Sequence, residues 1–444
     1  MVALPIQFPS AATRNDTPKI VAPEKAAHEA DYARFAEKLV RTGIISDPWL
    51  YGQERFSLSP VVLSSDTYEK FCRAAEAIGK VYNELSELVW QHPEWLDEFF
   101  HLTPFQKLMW LSSGGNWHAI ARLDVFLCAD GRIQICEMNS DTPSGEAEAV
   151  ILNQLFYQDV ADCENPNETF ETQFIETFLS AYRASVKDPT AQPSVGIIYP
   201  TDMPEDLSMI LIYKSWFEKR GCNVVLGSPF NLYCDAERNL LLLNEPIDLA
   251  IRHYKTDWWG ERLPVWKDGE DYPDPYPLDH ELYAVLKAEE HGTVVMLNPF
   301  GAVVTQNKLS MALCWKAMGQ FSHAAQEAIR AYLPETYRLA DAWEMNVLKD
   351  KNDWVLKSDY GCEGTDVIIG KFTDEATWKL SLDMAITEHW VVQRYFEAAP
   401  INGKIPNYGI YLLGGAAAGV YTRLSNMATD YTSLTAATYI KSVP

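Results

Sequence analysis

The sequence has little positive charge for its length. It contains 37 Lys and Arg residues against 61 Asp and Glu residues, which gives a formal charge of −24. An acidic chain repels nucleic-acid phosphates and anionic membrane surfaces, and no run of Lys or Arg indicates a basic groove. We therefore expect neither a nucleic-acid nor a membrane partner. The acidity favours solubility in the first place, and it is also compatible with a cationic substrate.

Long apolar runs and recognisable cysteine motifs are also missing. No stretch of about 18 apolar residues could cross a bilayer, and the first residues lack the basic and apolar regions of a secretory signal. The eight Cys include no C-x-x-C pair and no zinc-type spacing with His. We expect reduced thiols in a cytoplasmic protein.

The 444 residues suggest about three domains or one composite body. Residues 194–300 alternate short apolar runs with helical segments, which predicts a parallel α/β unit. Its predicted buried strands are SVGIIYP, CNVVLGSP, LLLLNEPIDLAI and TVVMLNP, and DGEDYPDPYPLD is predicted to be a loop. The other predicted regions are a loose Pro/Ala-rich arm (1–27), a helical region with a β-hairpin (28–193) and a C-terminal region (301–444), in which a helix over about 307–331 precedes several strands.

A hairpin over residues 121–139 carries the first candidate site. Asp130-Gly131 is a two-residue turn signal between two alternating strands. Residues i and i+2 of a strand share a face, so the side chains of Arg122 and Asp124 point the same way, and so do those of Glu137 and Asn139. If both pairs face one side, two carboxylates and an amide oxygen meet, a set suited to Mg²⁺. The alternative is a solvated hairpin with cross-strand salt bridges.

A polar turn, SDTPSG, follows this hairpin and leads into a predicted helix. Ser144 is a candidate N-cap for that helix. Ser140, Asp141 and Thr142 are alternatively candidates to hold a substrate carboxylate or phosphate at the helix N-terminus.

Three segments near the C-terminus carry further candidates. Lys357 ends a strand and precedes a loop with two glycines, an arrangement that can close over phosphates or simply form a turn. Gln393 ends an apolar strand that offers an amide to a purine or is an ordinary buried strand. Arg423 ends another strand, where a surface salt bridge is the simpler interpretation.

Taken together, these segments resemble the synthetase domain of glutathionylspermidine synthase, an ATP-grasp family with a permuted motif order. The most specific segment is RLDVFLCADGRIQICEMNSDTPSGEAEA. VTQNKLSMALCW, VLKSDYGCEGTDV, EHWVVQRYFEAAP and LLGGAAAGVYTRLS are similar to the other family motifs, and AIRHYKTDWWGE is loosely similar to a substrate-side segment. The resemblance covers residues 30–444, so we expect no amidase domain of the kind that bifunctional members carry.

The resemblance implies an α/β (α+β) ATP-grasp-like fold with an inserted Rossmann-like pre-ATP-grasp unit, and it implies roles. Asp124, Glu137 and Asn139 would bind two Mg²⁺ ions, and Arg122 and Arg423 would hold the transferred phosphoryl group. The other implied contacts are to ATP or to the substrate: Lys308 and Lys357 at the phosphates or adenine edge, Gln393 at the adenine, Gly361, Cys362, Glu363 and Gly364 in a lid, and Lys255 near the acyl substrate.

The activity implied by the resemblance is an ATP- and Mg²⁺-dependent ligase. It would join a small-molecule acid, peptide-like or amino-acid-like, to a polyamine-like amine through an acyl phosphate. Two alternatives stay open, a non-catalytic nucleotide-binding protein and an ATP-dependent phosphotransferase. ADP formation that requires both acid and amine would favour ligation.

Overall fold

The computed structural model describes residues 19–20, 28–156, 160, 162–190, 192–201, 203, 206–260, 277–346, 348–361, 367–386, 389–430 and 432–441. Lys19 and Ile20 pair with a strand at Val61 and Val62, and the rest of the predicted arm lies outside the described residues. So does most of the predicted loop DGEDYPDPYPLD.

The chain is mixed α/β, as predicted. Its helices are α1 (His28–Val40), α2 (Ser65–Gln91), α3 (Trp95–Glu98), α4 (Pro104–Ser112), α5 (Glu146–Phe156), α6 (Phe170–Ser185), α7 (Leu207–Lys219), α8 (Asp257–Gly260), α9 (Asp279–His291), α10 (Ala302–Thr305), α11 (Leu309–Lys316), α12 (His323–Tyr332), α13 (Leu339–Glu344) and α14 (Glu375–Ala385). No helix among the described residues is both long and apolar enough to span a membrane.

The strands are β1 (Lys19–Ile20), β2 (Trp49–Leu50), β3 (Gln53–Glu54), β4 (Val61–Ser64), β5 (Ile120–Leu127), β6 (Ile133–Asn139), β7 (Val195–Ile198), β8 (Val224–Gly227), β9 (Leu232–Cys234), β10 (Leu240–Leu242), β11 (Glu245–Ile247), β12 (Leu249–Arg252), β13 (Val295–Leu297), β14 (Thr336–Arg338), β15 (Trp354–Lys357), β16 (Val367–Ile369), β17 (Val391–Arg394), β18 (Ile405–Leu413), β19 (Ala416–Ser425), β20 (Leu434–Ala436) and β21 (Thr438–Lys441).

A five-stranded antiparallel sheet joins distant parts of the chain. Its strand order is β20-β19-β18-β5-β6, so the predicted hairpin β5–β6 pairs with the C-terminal strand β18. Alternation along β18 directs Tyr408 and Leu412 to one face and Asn407 and Gly409 to the other. The long helix α2 covers the first face, where Phe71 lies against Tyr408 with ring centroids 4.9 Å apart. The second face is left to carry polar side chains.

Helix α2 forms because its sequence has both a cap and an apolar stripe. The Ser64 hydroxyl accepts a hydrogen bond from the Thr67 backbone N–H at 3.2 Å, which satisfies one free donor of the first turn. Phe71, Ile78 and Leu85 recur every seven residues and are fully buried. The helix therefore buries one continuous face against the sheet.

A four-stranded sheet lies where the parallel α/β unit was predicted. Its strand order is β13-β12-β7-β8, and all three strand pairs are parallel. One detail of the prediction is wrong. LLLLNEPIDLAI is not one buried strand, because Leu243 and Asn244 adopt positive φ angles of 51° and 68°. They turn the chain between β10 and β11, and only the end of the segment enters the parallel sheet as β12.

The C-terminal region contains a smaller antiparallel sheet with the order β14-β17-β15-β16. It has an apolar core of its own, in which Trp354, Leu356 and Trp378 pack together. The helix predicted over 307–331 is wrong as a single element, because α11 ends at Lys316 and α12 begins only at His323. The Ser322 hydroxyl accepts from the Ala325 N–H and starts the second helix anew.

The predicted cap at Ser144 is also wrong. Helix α5 begins at Glu146, so the capping position is Gly145, which has a φ of +97°. The Ser144 carbonyl instead accepts hydrogen bonds from side chains of the central sheet, Arg122 and Tyr411.

Candidate functional site

The hairpin places its four predicted site residues on one face. Arg122 lies directly opposite Asn139 and Asp124 directly opposite Glu137, and a register shift follows Asp124. The Asn139 Nδ2 donates to Asp124 Oδ1 at 3.4 Å. The two pairs therefore face the same side, as the Mg²⁺ interpretation requires.

The C-terminal strands add Arg423 to this group. Its guanidinium Nη2 donates to Asp124 Oδ2 at 2.7 Å, while the Arg122 Nε contacts Asp124 Oδ1 at 3.3 Å. Asn407, which pairs with Arg423 across β18 and β19, donates from Nδ2 to Asp124 Oδ2 at 3.0 Å. We call Arg122, Asp124, Asn407 and Arg423 the arginine–aspartate cluster.

The electrostatics of this cluster are dominated by the two arginines. Burial by itself would raise the pKa of Asp124, but Arg423 and Arg122 outweigh it and hold that pKa at about 2. Asp124 is therefore ionised at neutral pH. Arg423 does not form a simple surface salt bridge, so that interpretation is wrong: its partner Asp124 is only 5% exposed.

Lys308 extends the positive charge along the hairpin. Its Nζ lies 3.1 Å from Glu137 Oε1 and donates to the Gly361 carbonyl at 2.5 Å. The residue is 6% exposed and immediately precedes α11. Lys308 thus connects the hairpin to the start of the glycine-containing loop. Of the predicted lid, only Gly361 is described; Cys362, Glu363 and Gly364 lie outside the described residues.

Lys357 and Gln393 form a separate polar pair in the smaller sheet. The Lys357 Nζ donates to Gln393 Oε1 at 2.8 Å and to the Cys136 carbonyl at 3.1 Å. The side-chain amide nitrogen of Gln393, Nε2, donates to the Thr336 hydroxyl at 3.2 Å. Because Cys136 belongs to β6, this pair adjoins the hairpin that carries Glu137.

The turn after the hairpin is held by internal contacts. Gln306 Oε1 accepts from the backbone N–H groups of Ser140 and Asp141 at 2.9 and 3.1 Å. The Asp141 carboxylate lies 2.5 Å from Arg252 Nη1 and accepts from Thr256. Of the predicted substrate residues, Ser140 and Asp141 are therefore almost fully buried, at 0% and 1% exposure.

Thr142 and Lys255 are the more accessible members of the predicted substrate set, since both are half-buried. Thr142 lines a small cavity together with Arg252, His253 and Asn298. The Lys255 Nζ lies 5.3 Å from the centre of the Trp258 ring.

The donors around Asp124 fit a divalent cation. Asp124, Glu137 and Asn139 present hard oxygen atoms from adjacent positions, which is the ligand chemistry that Mg²⁺ prefers. The buried Oδ1 of Asn407 accepts no hydrogen bond from any described residue and leaves a further oxygen unused. No group of three or more His, Cys, Asp or Glu that could hold a metal occurs in the described part of the chain. The candidate set differs from such a group because its third member is the amide of Asn139.

Three residues of this region escaped the sequence analysis. Asn407 contacts Asp124 directly, and Gly409 leaves room for Arg122, since a Cβ built on it would lie 2.7 Å from Arg122 Cδ. Asn298 accepts from the N–H groups of Ala119 and Ile120 and donates to the carbonyls of Ile120, Ser140 and Asp141, so it fixes β5 to the turn after β6. In the sequence, the signal for Gly409 is the glycine inside the predicted apolar strand YGIYLLGG, and Asn407 immediately precedes that segment.

A family model matches part of the chain. Residues 270–441 match the model described as glutathionylspermidine synthase preATP-grasp. The resemblance to glutathionylspermidine synthases is therefore confirmed over this part of the chain. The match includes Lys308, Lys357, Gln393 and Arg423, whereas the hairpin with Asp124 precedes it. Most of the matched range also follows residues 194–300, for which the pre-ATP-grasp-like unit is predicted.

A solved structure supports the fold. A glutathione synthetase-like effector from Globodera pallida, in its apo form, is similar with a TM-score of 0.60 and 14% sequence identity, over 94% of this chain and 98% of that chain. A putative γ-glutamylcysteine synthetase from Methylobacillus flagellatus KT gives a TM-score of 0.45 at 12% identity, over 81% and 85% of the two chains. The first likeness shows a shared fold; the second score is too low to show one. A search of the curated proteins gives no match.

Proposed function

We propose that this protein is an ATP- and Mg²⁺-dependent carboxylate–amine ligase of the cytoplasm that acts on small molecules. The observation that carries the proposal is the convergence of three cationic side chains on two carboxylates at the β5–β6 hairpin, with a fourth beside them. Arg122 and Arg423 contact Asp124, Lys308 contacts Glu137, and Lys357 donates to the hairpin backbone at Cys136. In a chain with a formal charge of −24, a local excess of positive charge supports binding of a polyanion such as ATP.

The contacts support a different role for each cationic side chain in binding ATP. Lys357 shares its hydrogen bonds with Gln393 in the smaller sheet, so we assign both to the adenine side of ATP. Lys308 approaches Glu137, and we assign it to the phosphates. Arg122 and Arg423 flank Asp124 and would hold the transferred phosphoryl group. When bound, Mg²⁺ would neutralise phosphate charge at Asp124, Glu137 and Asn139.

The proposed reaction has two steps. A carboxylate oxygen of the acid attacks the γ-phosphorus of ATP, ADP leaves and an acyl phosphate forms. The amine then attacks the acyl carbon, inorganic phosphate leaves, and the nitrogen loses a proton as the amide forms. The side chains act by positioning and by stabilising charge, so removing one of them should slow turnover on the order of 10²–10³-fold.

The substrate pair would be a peptide-like or amino-acid-like acid and a polyamine-like amine. ADP release should be measured with candidate acids and amines, separately and together. ADP that requires both substrates supports ligation. ADP with the acid alone and a stable phosphorylated product would support a phosphotransferase, and absence of nucleotide binding by the folded protein would support the non-catalytic alternative.

Substitution of the hairpin tests the metal assignment. Glu137→Ala and Asn139→Ala should each abolish turnover while circular dichroism and unfolding show an intact fold. Glu237→Ala is the matched control, because Glu237 is exposed and lies in the turn between β9 and β10. Mg²⁺-dependent turnover retained by both hairpin variants would refute the assignment.

A further inference from the structure

The two oxygens of the Asp124 carboxylate are held unequally. Oδ2 accepts from Arg423 at 2.7 Å and from Asn407 at 3.0 Å. Oδ1 has only longer contacts, 3.3 Å to Arg122 Nε and 3.4 Å to Asn139 Nδ2. Short hydrogen bonds therefore fix one oxygen, and the weakly held oxygen is the one beside Asn139.

Asn407 is built into the sheet in a way that fixes its own orientation. It is 1% exposed and lies directly opposite Arg423 in the β18–β19 pairing. Its Nδ2 also donates to the Thr429 hydroxyl at 3.3 Å, so both of its N–H groups can be used. That assignment leaves its Oδ1 as a buried acceptor with no partner among the described residues.

An unpaired buried polar atom is unfavourable, because it loses its hydrogen bonds to water on folding and gains none in return. The Arg423 Nε is also buried and without a partner in the described structure. A donor and an acceptor at paired positions of two strands are thus both left unsatisfied beside the same carboxylate. Such an arrangement is typical of a site organised for a ligand rather than for stability.

We propose that Asn407 is a positioning residue for the cation site, which clamps Oδ2 of Asp124 against Arg423 and presents Oδ1 to a divalent ion shared with Asn139. This inference rests on the proposed function, because the ion is the one that ATP would bring. A neutral amide suits the position, since a carboxylate there would repel Asp124 and compete for Arg423.

Divalent-ion affinity, measured without turnover, tests the inference. The free Mn²⁺ signal in electron paramagnetic resonance is followed as protein is added with a non-hydrolysable ATP analogue. Asn407→Leu, close in shape and unable to hydrogen-bond, should weaken Mn²⁺ binding about 10–100-fold, the range for residues that orient metal ligands. Affinity for the analogue in EDTA should stay within about twofold of wild type.

A second variant protects the test against misfolding. Thr429→Val removes only the hydroxyl that orients the second N–H of Asn407, and Thr429 is half-buried. It should weaken Mn²⁺ binding severalfold, and this variant decides if Asn407→Leu does not fold. Unchanged Mn²⁺ affinity in the folded variants overturns the role of Asn407. Absence of Mn²⁺ binding by the wild-type protein with the analogue instead overturns the proposed function, and the positioning role with it.

Discussion

Replacing Gly409 by Ala should displace Arg122. Gly409 lies on β18 directly opposite Asp124, on the face of the sheet that carries the arginine–aspartate cluster. A Cβ at this position would lie 2.7 Å from Arg122 Cδ and 3.1 Å from Cγ, and also 3.1 Å from the Tyr421 carbonyl oxygen. Because that oxygen belongs to the backbone of the neighbouring strand, the Arg122 side chain is the part that has to move.

The size of the movement follows from the contact distance. Ordinary van der Waals contact begins at about 3.4 Å, so Arg122 Cδ must shift by about 0.7 Å. The guanidinium holds Asp124 Oδ1 at 3.3 Å and the Ser144 carbonyl at 2.6 Å, and both contacts depend on its position. Added bulk in a packed site typically costs about 1–3 kcal/mol. Misplacing a catalytic group by about 1 Å costs up to about 10²-fold in rate.

Gly319→Ala is the matched control. A Cβ built on Gly319 meets nothing within 4 Å, and its φ lies outside the left-handed region. Urea unfolding should show a loss of about 1–3 kcal/mol for Gly409→Ala relative to this control. Analogue affinity in the presence of Mg²⁺ should fall as well. If the two variants unfold at the same urea concentration and bind nucleotide equally, Gly409 does not reserve space for Arg122.

Three further variants test the charges of the structure. Burial raises the pKa of Glu146 from 4.5 to about 8, so the folded chain keeps a proton that the unfolded chain loses, and stability falls as the pH rises through that range. In urea unfolding, the stability of Glu146→Gln relative to wild type should therefore increase by on the order of 3–5 kcal/mol as the pH rises from 4.5 to 8. The exposed control Glu87→Gln should show no such increase, and a difference independent of pH would contradict the explanation. Lys357→Met removes the ammonium group bound to Gln393 and should weaken ATP binding about tenfold or more in calorimetry, and an unchanged affinity would argue against its assignment. Asp124→Asn leaves the buried Arg122 and the half-buried Arg423 without their shared counter-charge. The variant should lose about 3–5 kcal/mol of stability, and inorganic triphosphate should stabilise it more than it stabilises wild type. Equal stabilisation of both proteins would refute the explanation.

Local patterns predicted the hairpin well. Asp130-Gly131 and the alternation on either side depend only on neighbouring residues, and the structure places the turn there with Gly131 at a φ of +83°. The strands that carry Lys357, Gln393 and Arg423 are predicted for the same reason, although two of them extend one or two residues further. Local patterns failed where an apolar run had to turn: nothing in LLLLNEPIDLAI signals that Leu243 and Asn244 adopt positive φ angles.

Asn407 and Gly409 could not be predicted as site residues from the sequence, because their meaning depends on a strand far away. Asn407 contacts Asp124 across 283 positions of the chain. In the sequence it precedes an apolar strand like many others. Only the antiparallel pairing of β18 with β5 brings it to the carboxylate.

The sequence by itself determined the mixed α/β composition, the hairpin, the residue types of the candidate site and the excess of acid over base. These follow from composition and from periodicities of a few residues. The tertiary structure decided which charges meet. Arg423 approaches Asp124 only because β19 and β18 continue the sheet that β5 begins, and Lys308 reaches Glu137 only because α11 starts beside β6. Strand pairing between distant segments depends on how the whole chain buries its apolar faces, and no short window of sequence contains that information.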